Sequence, residues 1–278
     1  MGIECPSYSK VNIGLKVLNK RSDGYHNIYT VFQELNFGDT IKIEKKSNDC
    51  AIELNIDWIP TGESNICYQA YEALKIEYPD LGGVSINISK KVPIGSGLGG
   101  GSANAAAVLK GINDLYCNNL SDIELEKIGS RIGADVAFFI KGGTQLGEGI
   151  GDKLTSLKRC VKGTYLLVIP DINISTSWAY SKLKNKLNSN LIIPSFESFF
   201  SEENSSLKIF ENDFERIVVP AYPEIGAIKH KLYELGAKFA SLSGSGSTVY
   251  GIFDKDAFAL EAESFFRLSH QTILAKPK

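Results

Sequence analysis

The feature that most constrains this chain is a glycine-rich stretch between a predicted strand and a predicted helix. It covers residues 93–107, with the sequence PIGSGLGGGSANAAA. Apolar residues alternate over residues 84–88, as in a strand, and recur at helical spacing over residues 108–115. Glycines have no Cβ atom and adopt backbone angles closed to other residues, so a ligand can approach the loop closely. Because the helix, predicted to open at Ser102, directs its positive end at the loop, the sequence predicts a phosphate-binding site.

Two other phosphate-binding loops fit this stretch less well. Gly95, Gly97 and Gly100 match the spacing of the dinucleotide fingerprint, but no strand-ending acidic residue follows about 20 residues later. The ATPase P-loop ends in Gly-Lys-Ser or Gly-Lys-Thr, whereas Gly101 is followed directly by Ser102. A flexible linker is disfavoured, because a linker would not join a strand to an alanine-rich helix.

Composition places limits on the class of protein. The 278 residues are enough for one large domain or two ordinary ones, and we predict two. A net charge of −2 gives no basis for binding nucleic acid, and neither a membrane-spanning run nor a targeting pattern is evident. The five cysteines are odd in number and lack Cys-x-x-Cys spacing, which predicts reduced thiols in a cytoplasmic protein.

The first 40 residues carry two groups of candidate functional residues. Alternation over residues 10–17 predicts a strand with Lys10 and Asn12 together on the face opposite the apolar one. A solvated strand lysine and a lysine directed into a site are equally compatible with this pattern. An Asp-Gly turn then holds Tyr25 and His26 at the edge of a second predicted strand, where a histidine is usually an exposed polar residue.

A lone carboxylate stands out before the middle of the chain. Ser121 and Glu124 form a predicted capping box that opens a helix, and the helix should stop at Gly133. Asp135 follows within the apolar run 133–140. A buried charge is costly unless it is paired, so Asp135 either caps the next turn or belongs to a site that contains a cation.

The remaining segments predict structure rather than chemistry. Residues 40–44 and 51–56 predict strands, residues 64–74 a capped helix, residues 164–169 a buried strand, and residues 184–210 solvated helices and loops. A polar segment at 172–180 carries Thr176 and Tyr180, and an amphipathic helix should run from Pro223 to Gly236. The small-residue turn at 243–247 is either a simple hairpin or a second loop that approaches the same ligand.

Several separated blocks together resemble the kinase superfamily that contains galactokinase, homoserine kinase and mevalonate kinase. They are residues 9–12 (SKVN), 21–26 (RSDGYH), 93–107, 133–135 (GAD), 142–144 (GGT), 147–149 (GEG) and 243–247 (SGSGS). Two positions depart from the family pattern, since Ala137 stands where proline is expected and Ala103 where a second serine is common. Neither departure removes a reacting group.

The glycine-rich stretch 142–152 is typical of a turn and strand exit and predicts a domain boundary shortly after it, with residues 1–155 as the ATP-binding domain and residues 156–278 as the C-terminal domain. The resemblance implies that the two domains are α+β, with the active site in the cleft between them. It implies that Asp135 takes the proton of a substrate hydroxyl and that Lys10 stabilises the aspartate and the phosphate. ATP would bind with Mg²⁺, whose protein ligands stay open. The implied nucleotide site comprises Pro93, Gly95, Ser96, Gly97, Leu98, Gly99, Gly100, Gly101, Ser102 and Ala103, with Asn65 and Lys90 beside the adenosine.

Asp-Gly-Tyr-His after a lysine-asparagine strand is similar to the branch that phosphorylates a small molecule, 4-diphosphocytidyl-2-C-methyl-D-erythritol, on its 2-hydroxyl in the non-mevalonate isoprenoid pathway. That resemblance implies a cytosine ring stacked between Tyr25 and Tyr180. His26 and Asn12 would be its hydrogen-bond partners, and Thr176 would lie beside the substrate. A sibling kinase for mevalonate or homoserine and a catalytically silent nucleotide-binding regulator remain the alternatives.

Overall fold

The computed structural model describes residues 2–116, 119–183, 195–201 and 206–278. The chain forms two compact units, each built from separate stretches of sequence. The first unit comprises Met1–Ser9, Phe37–Ile94 and Gly99–Gly142, and the second comprises Lys10–Asn36, Gly95–Leu98 and Gly143–Lys278. Strands β1 (Gly2–Lys20) and β2 (His26–Lys46) contribute residues to both. The predicted domain division after residue 155 stays a prediction, because compact units and sequence domains divide a chain in different ways.

The sheet of the first unit is built on the second half of β2. That half pairs antiparallel with β4 (Gly83–Ser89), which pairs in parallel with β3 (Cys50–Leu54). The strands predicted at 40–44, 51–56 and 84–88 are confirmed, although residues 40–44 continue β2 and β3 ends at Leu54. Gly38 does not turn the chain there. A Cβ at Gly38 would lie 2.0 Å from the carbonyl oxygen of Ser7, so this glycine instead allows close packing against β1.

The helices of the first unit begin where local hydrogen bonds satisfy their ends. They are α1 (Ile66–Glu77), α2 (Gly100–Tyr116), α3 (Asp122–Ile132) and α4 (Val136–Lys141). The Ser121 capping box is confirmed in full. The predicted start of α1 at Ser64 is wrong, because Asn65 is the N-cap and accepts from the backbone of Cys67. Helix α2 starts at Gly100 rather than at Ser102, since the carbonyl of Gly99 already accepts from the N–H of Ala103 at 2.9 Å.

The second unit contains two strand arrangements. Residues 30–33 of β2 pair antiparallel with β5 (Thr144–Glu148), and β5 pairs with β6 (Lys153–Ser156). A separate antiparallel sheet has the order β10-β7-β9-β8. Its strands are β7 (Thr164–Ile169), β8 (Phe239–Leu242), β9 (Val249–Phe253) and β10 (Gln271–Ala275). The predicted strand at 164–169 is therefore confirmed.

Six helices, of which the last two contact its antiparallel sheet, lie in the described part of the second unit. They are α5 (Thr176–Leu183), α6 (Phe196–Ser201), the 3₁₀ helix Leu207–Ile209, α7 (Glu215–Ala221), α8 (Pro223–Glu234) and α9 (Asp256–Phe266). The helix predicted from Pro223 is confirmed, and its residues Ile225, Ile228 and Leu232 are buried in the core.

The prediction of solvated structure at 184–210 is only partly testable, because residues 184–194 and 202–205 lie outside the described part of the chain. It is wrong for Phe196 and Phe210, which are buried and pack ring against ring with centroids 4.9 Å apart. Aromatic packing in this cluster outweighs the polar average of the segment. Among the helices that the structure describes, none has the length and apolar character needed to cross a membrane.

Candidate active site

Protein donors hold three consecutive carbonyl groups of the glycine loop, all within the second unit. The three bonds are Thr248 N–H to Ser96 O at 3.1 Å, Ser243 Oγ–H to Gly97 O at 2.9 Å and Lys10 N–H to Leu98 O at 3.0 Å. In a trans peptide the carbonyl and the following N–H point in opposite directions. The N–H groups of Gly97, Leu98 and Gly99 therefore point away from these partners. Within the described residues none of these three N–H groups has an acceptor, so the loop offers a row of donors suited to an anion.

Two glycines of this loop are required for different reasons. Gly95 and Gly97 both have positive φ, +67° and +80°. A Cβ at Gly97 would lie 2.2 Å from the carbonyl oxygen of Ser243, whereas the nearest atom to a Cβ at Gly95 is Asn173 Oδ1 at 3.9 Å. Gly97 is therefore needed because the carbonyl of Ser243 packs directly against it. At Gly95, by contrast, the protein leaves room for a side-chain atom.

The small-residue turn between β8 and β9 is more than a simple hairpin. Besides the bond from Ser243 to Gly97, its backbone is held by Asn212, whose Nδ2 donates to the carbonyls of Leu242 and Gly244 at 2.8 Å each. The Thr176 hydroxyl lies 3.1 Å from that of Ser245. The structure thus brings Thr176, this turn and the glycine loop of the second unit into one neighbourhood.

Lys10 and Asn12 share a face of β1, as predicted. Lys10 is only 4% exposed, so the solvated-lysine interpretation is wrong. Its Nζ donates to Asn12 Oδ1 at 2.6 Å and lies 5.5 Å from the centroid of the Phe32 ring. Asn12 Nδ2 donates to Thr30 Oγ1 at 3.0 Å, and the Thr30 hydroxyl donates to the carbonyl of Gly14 at 2.7 Å. Both ends of the Asn12 amide are thus engaged within the protein.

A buried tyrosine holds the backbone beside Lys10. The hydroxyl of Tyr250 donates to the carbonyl oxygen of Asn12 at 2.8 Å. Burial raises the pKa of Tyr250 well above its ordinary value, with smaller contributions from Tyr165 and Glu215. The phenol therefore remains protonated and keeps donating to this strand.

The predicted substrate residues separate into a stacked pair and an exposed ring. His26 and Tyr180 stack with centroids 5.1 Å apart and an interplanar angle of 19°, and Phe214 packs edge-on against Tyr180. His26 is 7% exposed, so the expectation of an exposed turn histidine is wrong. Tyr25 is 61% exposed, and no described ring packs against it.

In the first unit, Lys90 and Asn65 have roles within the protein. Lys90 Nζ contacts Asp39 Oδ2 at 2.5 Å, and both side chains are buried. Asp39 Oδ1 also accepts from the N–H groups of Lys91 and Val92, at 2.6 and 2.8 Å. Asn65 Nδ2 donates to the carbonyl of Pro60 at 2.7 Å while its oxygen caps α1. A contribution of Lys90 and Asn65 to adenosine binding stays a prediction.

Asp135 occupies the N-cap position of α4 but makes no capping hydrogen bond with its side chain. The capping interpretation is therefore wrong, and a role of this half-buried carboxylate in a site that contains a cation stays a prediction. At the start of α2, Gly101 is exposed, Ser102 is half-buried and Ala103 is buried.

Sequence reasoning missed Asp39, Thr30 and Asn212. Asp39 lacks the signal that marks Asp135, because it lies among polar and charged residues rather than in an apolar run. Thr30 carries no local signal, since its partner Gly14 is 16 residues away in sequence, whereas Asn212 carries one, because its Oδ1 accepts from the N–H of Phe214 just before α7.

Two family models match the chain, GHMP kinases N terminal domain over residues 65–143 and GHMP kinases C terminal over residues 194–267. A 4-diphosphocytidyl-2-C-methyl-D-erythritol kinase of Acetivibrio thermocellus is 39% identical over 257 residues, covering 91% of each chain. One from Thermodesulfovibrio yellowstonii is 40% identical over 273 residues, covering 95% of this chain and 94% of the relative. The chain belongs to the 4-diphosphocytidyl-2-C-methyl-D-erythritol kinase family.

Solved structures agree with this membership. A crystal structure of a 4-(cytidine 5'-diphospho)-2C-methyl-D-erythritol kinase matches with a TM-score of 0.84 and 27% identity, covering 99% of both chains. A homoserine kinase from Cytophaga hutchinsonii, 17% identical with a TM-score of 0.79, shows the fold alone. The predicted α+β fold of the GHMP kinases is thus confirmed, and this 4-diphosphocytidyl-2-C-methyl-D-erythritol kinase family member is a small-molecule kinase whose phosphate donor is ATP.

In this kinase, Gly97→Ala should be much more damaging than Gly95→Ala. Both substitutions strain a positive φ, at a cost of order 1 kcal/mol. Only the Cβ at position 97 clashes with a backbone carbonyl, which must separate the glycine loop from the turn at Ser243. We expect Gly97→Ala to lower the denaturant midpoint and to raise the KM for ATP more than Gly95→Ala does. Equal effects of the two variants on stability would contradict the close packing of the Ser243 carbonyl against Gly97.

Removing one partner of the buried Asp39–Lys90 pair of this kinase should be strongly destabilising. Lys90→Met leaves a carboxylate buried without its cation, which costs about 3–5 kcal/mol. The double variant Asp39→Asn/Lys90→Met removes both charges and should recover part of that loss. Chemical denaturation followed by circular dichroism measures both. A Lys90→Met protein within about 1 kcal/mol of the wild type would show that the pair is not a buried charge pair.

Proposed function

We propose that the chain transfers the terminal phosphoryl group of ATP to the 2-hydroxyl of 4-diphosphocytidyl-2-C-methyl-D-erythritol. The observation that carries the phosphate-binding part is the row of N–H groups at Gly97, Leu98 and Gly99, whose preceding carbonyls are all held by protein donors. Preorganised backbone donors stabilise charge on a phosphate without reorganising during the reaction. The acceptor is proposed from the relatives named above, which are kinases of this compound.

The proposed chemistry uses Asp135 as the general base and Lys10 as the cation of the reaction. Asp135 takes the proton of the 2-hydroxyl, whose oxygen forms a bond to the γ-phosphorus while the bond from that phosphorus to the β,γ-bridging oxygen breaks, and ADP leaves. Two observations support these roles. Asp135 is half-buried without a capping bond, and Lys10 is buried in a polar setting rather than solvated. A nearby cation keeps a carboxylate ionised, as a base requires.

We include Mg²⁺ in the proposal as an ion that arrives with ATP. Among the described residues no group of three or more His, Cys, Asp and Glu side chains is arranged to hold a metal. This fits the coordination of Mg²⁺ in kinases, which relies on substrate phosphates, water and few carboxylates. Bound there, Mg²⁺ would neutralise charge that develops on the phosphates. We assign it no protein ligand.

For the cytidyl group we propose Tyr25 and Tyr180 as the stacking residues and His26 as a hydrogen-bond partner. The packing of Tyr180 against His26 and Phe214 fixes its ring, so little side-chain entropy is lost when a base stacks on it. The exposed ring of Tyr25 offers an uncovered face. We place Thr176 and Asn12 beside the substrate on weaker grounds, since both are hydrogen-bonded within the protein.

The domain division at residue 155 and a cytoplasmic location remain parts of the same proposal. They rest on the sequence patterns described above, the glycine-rich exit near residues 147–152 and the cysteine spacing.

The deciding experiment is phosphate transfer from ATP to the diphosphocytidyl substrate, with mevalonate and homoserine as competing acceptors. We expect turnover with the first compound alone. Asp135→Asn should lower kcat by roughly 10²–10⁴, because a general base is lost. An ATP analogue should still bind this variant within a few-fold of the wild type.

Asp122→Asn is the matched control, since Asp122 is an exposed carboxylate of the first turn of α3 in the same unit. It should have wild-type turnover. Near-normal turnover by a folded Asp135→Asn protein would remove Asp135 from the mechanism, and turnover with mevalonate or homoserine instead would favour a sibling kinase.

The cytidyl site is tested by calorimetric titration of cytidine diphosphate. Tyr25→Ala and Tyr180→Ala should each weaken binding about tenfold or more, because stacking contributes on the order of 1–3 kcal/mol per base. His26→Ala should also weaken it, while ATP-analogue binding is unchanged. Tyr180→Phe keeps the ring and Tyr233→Ala removes an exposed ring elsewhere in the second unit, so both should bind normally. Equal binding by all variants, or by none of the proteins, would overturn the proposed cytidyl site.

A further inference from the structure

A chain of four polar groups runs through the interior of the second unit and ends at Lys10. We call it the Thr30 chain. Its members are the carbonyl of Gly14, the hydroxyl of Thr30, the side-chain amide of Asn12 and the ammonium group of Lys10, joined by contacts of 2.7, 3.0 and 2.6 Å. Thr30 has no exposed surface, and Asn12 is 2% exposed. Water therefore does not compete for these bonds.

The chemistry of the groups fixes the direction of every bond in the Thr30 chain. A backbone carbonyl can only accept, so the Thr30 hydroxyl must donate its single proton to Gly14. Its oxygen then has only lone pairs to offer to Asn12, which must present its NH₂ group to Thr30. The amide oxygen of Asn12 consequently faces Lys10, where it accepts from the ammonium group.

We propose that Thr30 is a positioning residue for Lys10, acting through the amide of Asn12. The proposal rests on the catalytic role proposed above for Lys10. Thr30 touches neither Lys10 nor any reacting atom, but it selects which end of the Asn12 amide the ammonium group meets. The favourable orientation places a partial negative charge 2.6 Å from the cation, and the reversed one would place two donors against each other.

Without the Thr30 hydroxyl, its hydrogen bond no longer fixes which end of the Asn12 amide faces Lys10. The last torsion of an asparagine side chain is broad and roughly two-fold, so the amide can reverse when nothing holds its NH₂ group. Lys10 then loses this acceptor and shifts from the position from which it stabilises charge. Displacement of a reacting group by about 1 Å can lower a rate about 10²-fold.

The test compares Thr30→Val, which keeps the shape, with Thr30→Ser, which keeps the hydroxyl. Thr30→Val should lower kcat about 10- to 100-fold with little change in the KM for either substrate. Thr30→Ser should restore kcat to within a few-fold of the wild type. Thr144→Val is the matched control, because the buried Thr144 hydroxyl on the neighbouring strand β5 donates to Gln33 Oε1 at 2.8 Å. It should lower thermal stability with kcat unchanged.

Other outcomes separate this inference from the proposed function. Lys10→Met should abolish turnover, and normal turnover by that variant would overturn the role of Lys10 and the inference with it. If Lys10→Met is inactive but Thr30→Val has wild-type kcat, only the Thr30 inference fails. A KM increase without a kcat change in Thr30→Val would likewise overturn it, since Asn12 would then serve binding alone.

A measurement on the wild type does not depend on how the variants fold. The side-chain NH₂ protons of Asn12, assigned in a nitrogen-correlated NMR spectrum by their absence in Asn12→Asp, should exchange slowly with solvent. One of them is held by a buried oxygen. Rapid exchange of both protons would overturn the Thr30 chain. Loss of protection in Thr30→Val and its retention in Thr30→Ser would support it.

Discussion

The hydrogen bonds to the carbonyls of Ser96, Gly97 and Leu98 are the constraint that fixes the backbone of the glycine loop, the proposed phosphate site. A glycine-rich loop loses more conformational entropy on ordering than any other kind of segment, with a cost of about 1–2 kcal/mol per residue. Here that cost is met on folding, because the donors belong to strand β1 and to the turn between β8 and β9. In the proposed site, ATP would therefore meet a loop whose N–H groups are already oriented, and its binding energy need not order the backbone.

Buried lysines are likewise held in place by groups of the protein. Lys10 and Lys16 are less than 10% exposed and the side chain of Lys90 is 5% exposed, so their ammonium groups need partners within the protein. Lys90 is held by a carboxylate, and Lys16 lies 2.6 Å from Glu211 and 3.3 Å from Asp213. The hydrogen bond from Lys16 is the main reason that the pKa of Glu211 lies below its ordinary value. The Lys10 ammonium group contacts the neutral amide of Asn12 and lies beside the Phe32 ring.

Local patterns in the sequence were enough to predict much of this structure, because short-range physics decides those parts. The strand at Lys10, the Ser121 capping box, the helix after Pro223 and the glycine loop all follow from periodicity, caps or missing Cβ atoms. The burial of His26, the pairing of Lys90 with Asp39 and the Thr30 chain do not. Each joins residues distant in sequence, and His26 lies 154 positions from Tyr180, its stacking partner. The spacing of residues in a sequence does not show which side chains meet when strands from separate stretches pair. Lys10 and Lys90 therefore look alike in sequence, although Lys10 contacts the amide of Asn12 and Lys90 contacts the carboxylate of Asp39.

The glycines of residues 95–101 are needed for more than one structural reason, only one of which is considered in the argument from the sequence. The sequence argument treats each glycine as clearing space for a ligand. That reason applies to Gly95, which borders open space, but Gly97 clears space for the carbonyl of Ser243 and Gly100 for the side chains of Val92 and Lys90. A loop that needed only flexibility could use glycine anywhere. A loop that must be rigid and still bring its backbone to a phosphate needs glycine both where the ligand approaches and where the protein packs behind it. The density of glycine in this stretch therefore reflects tight packing as much as access.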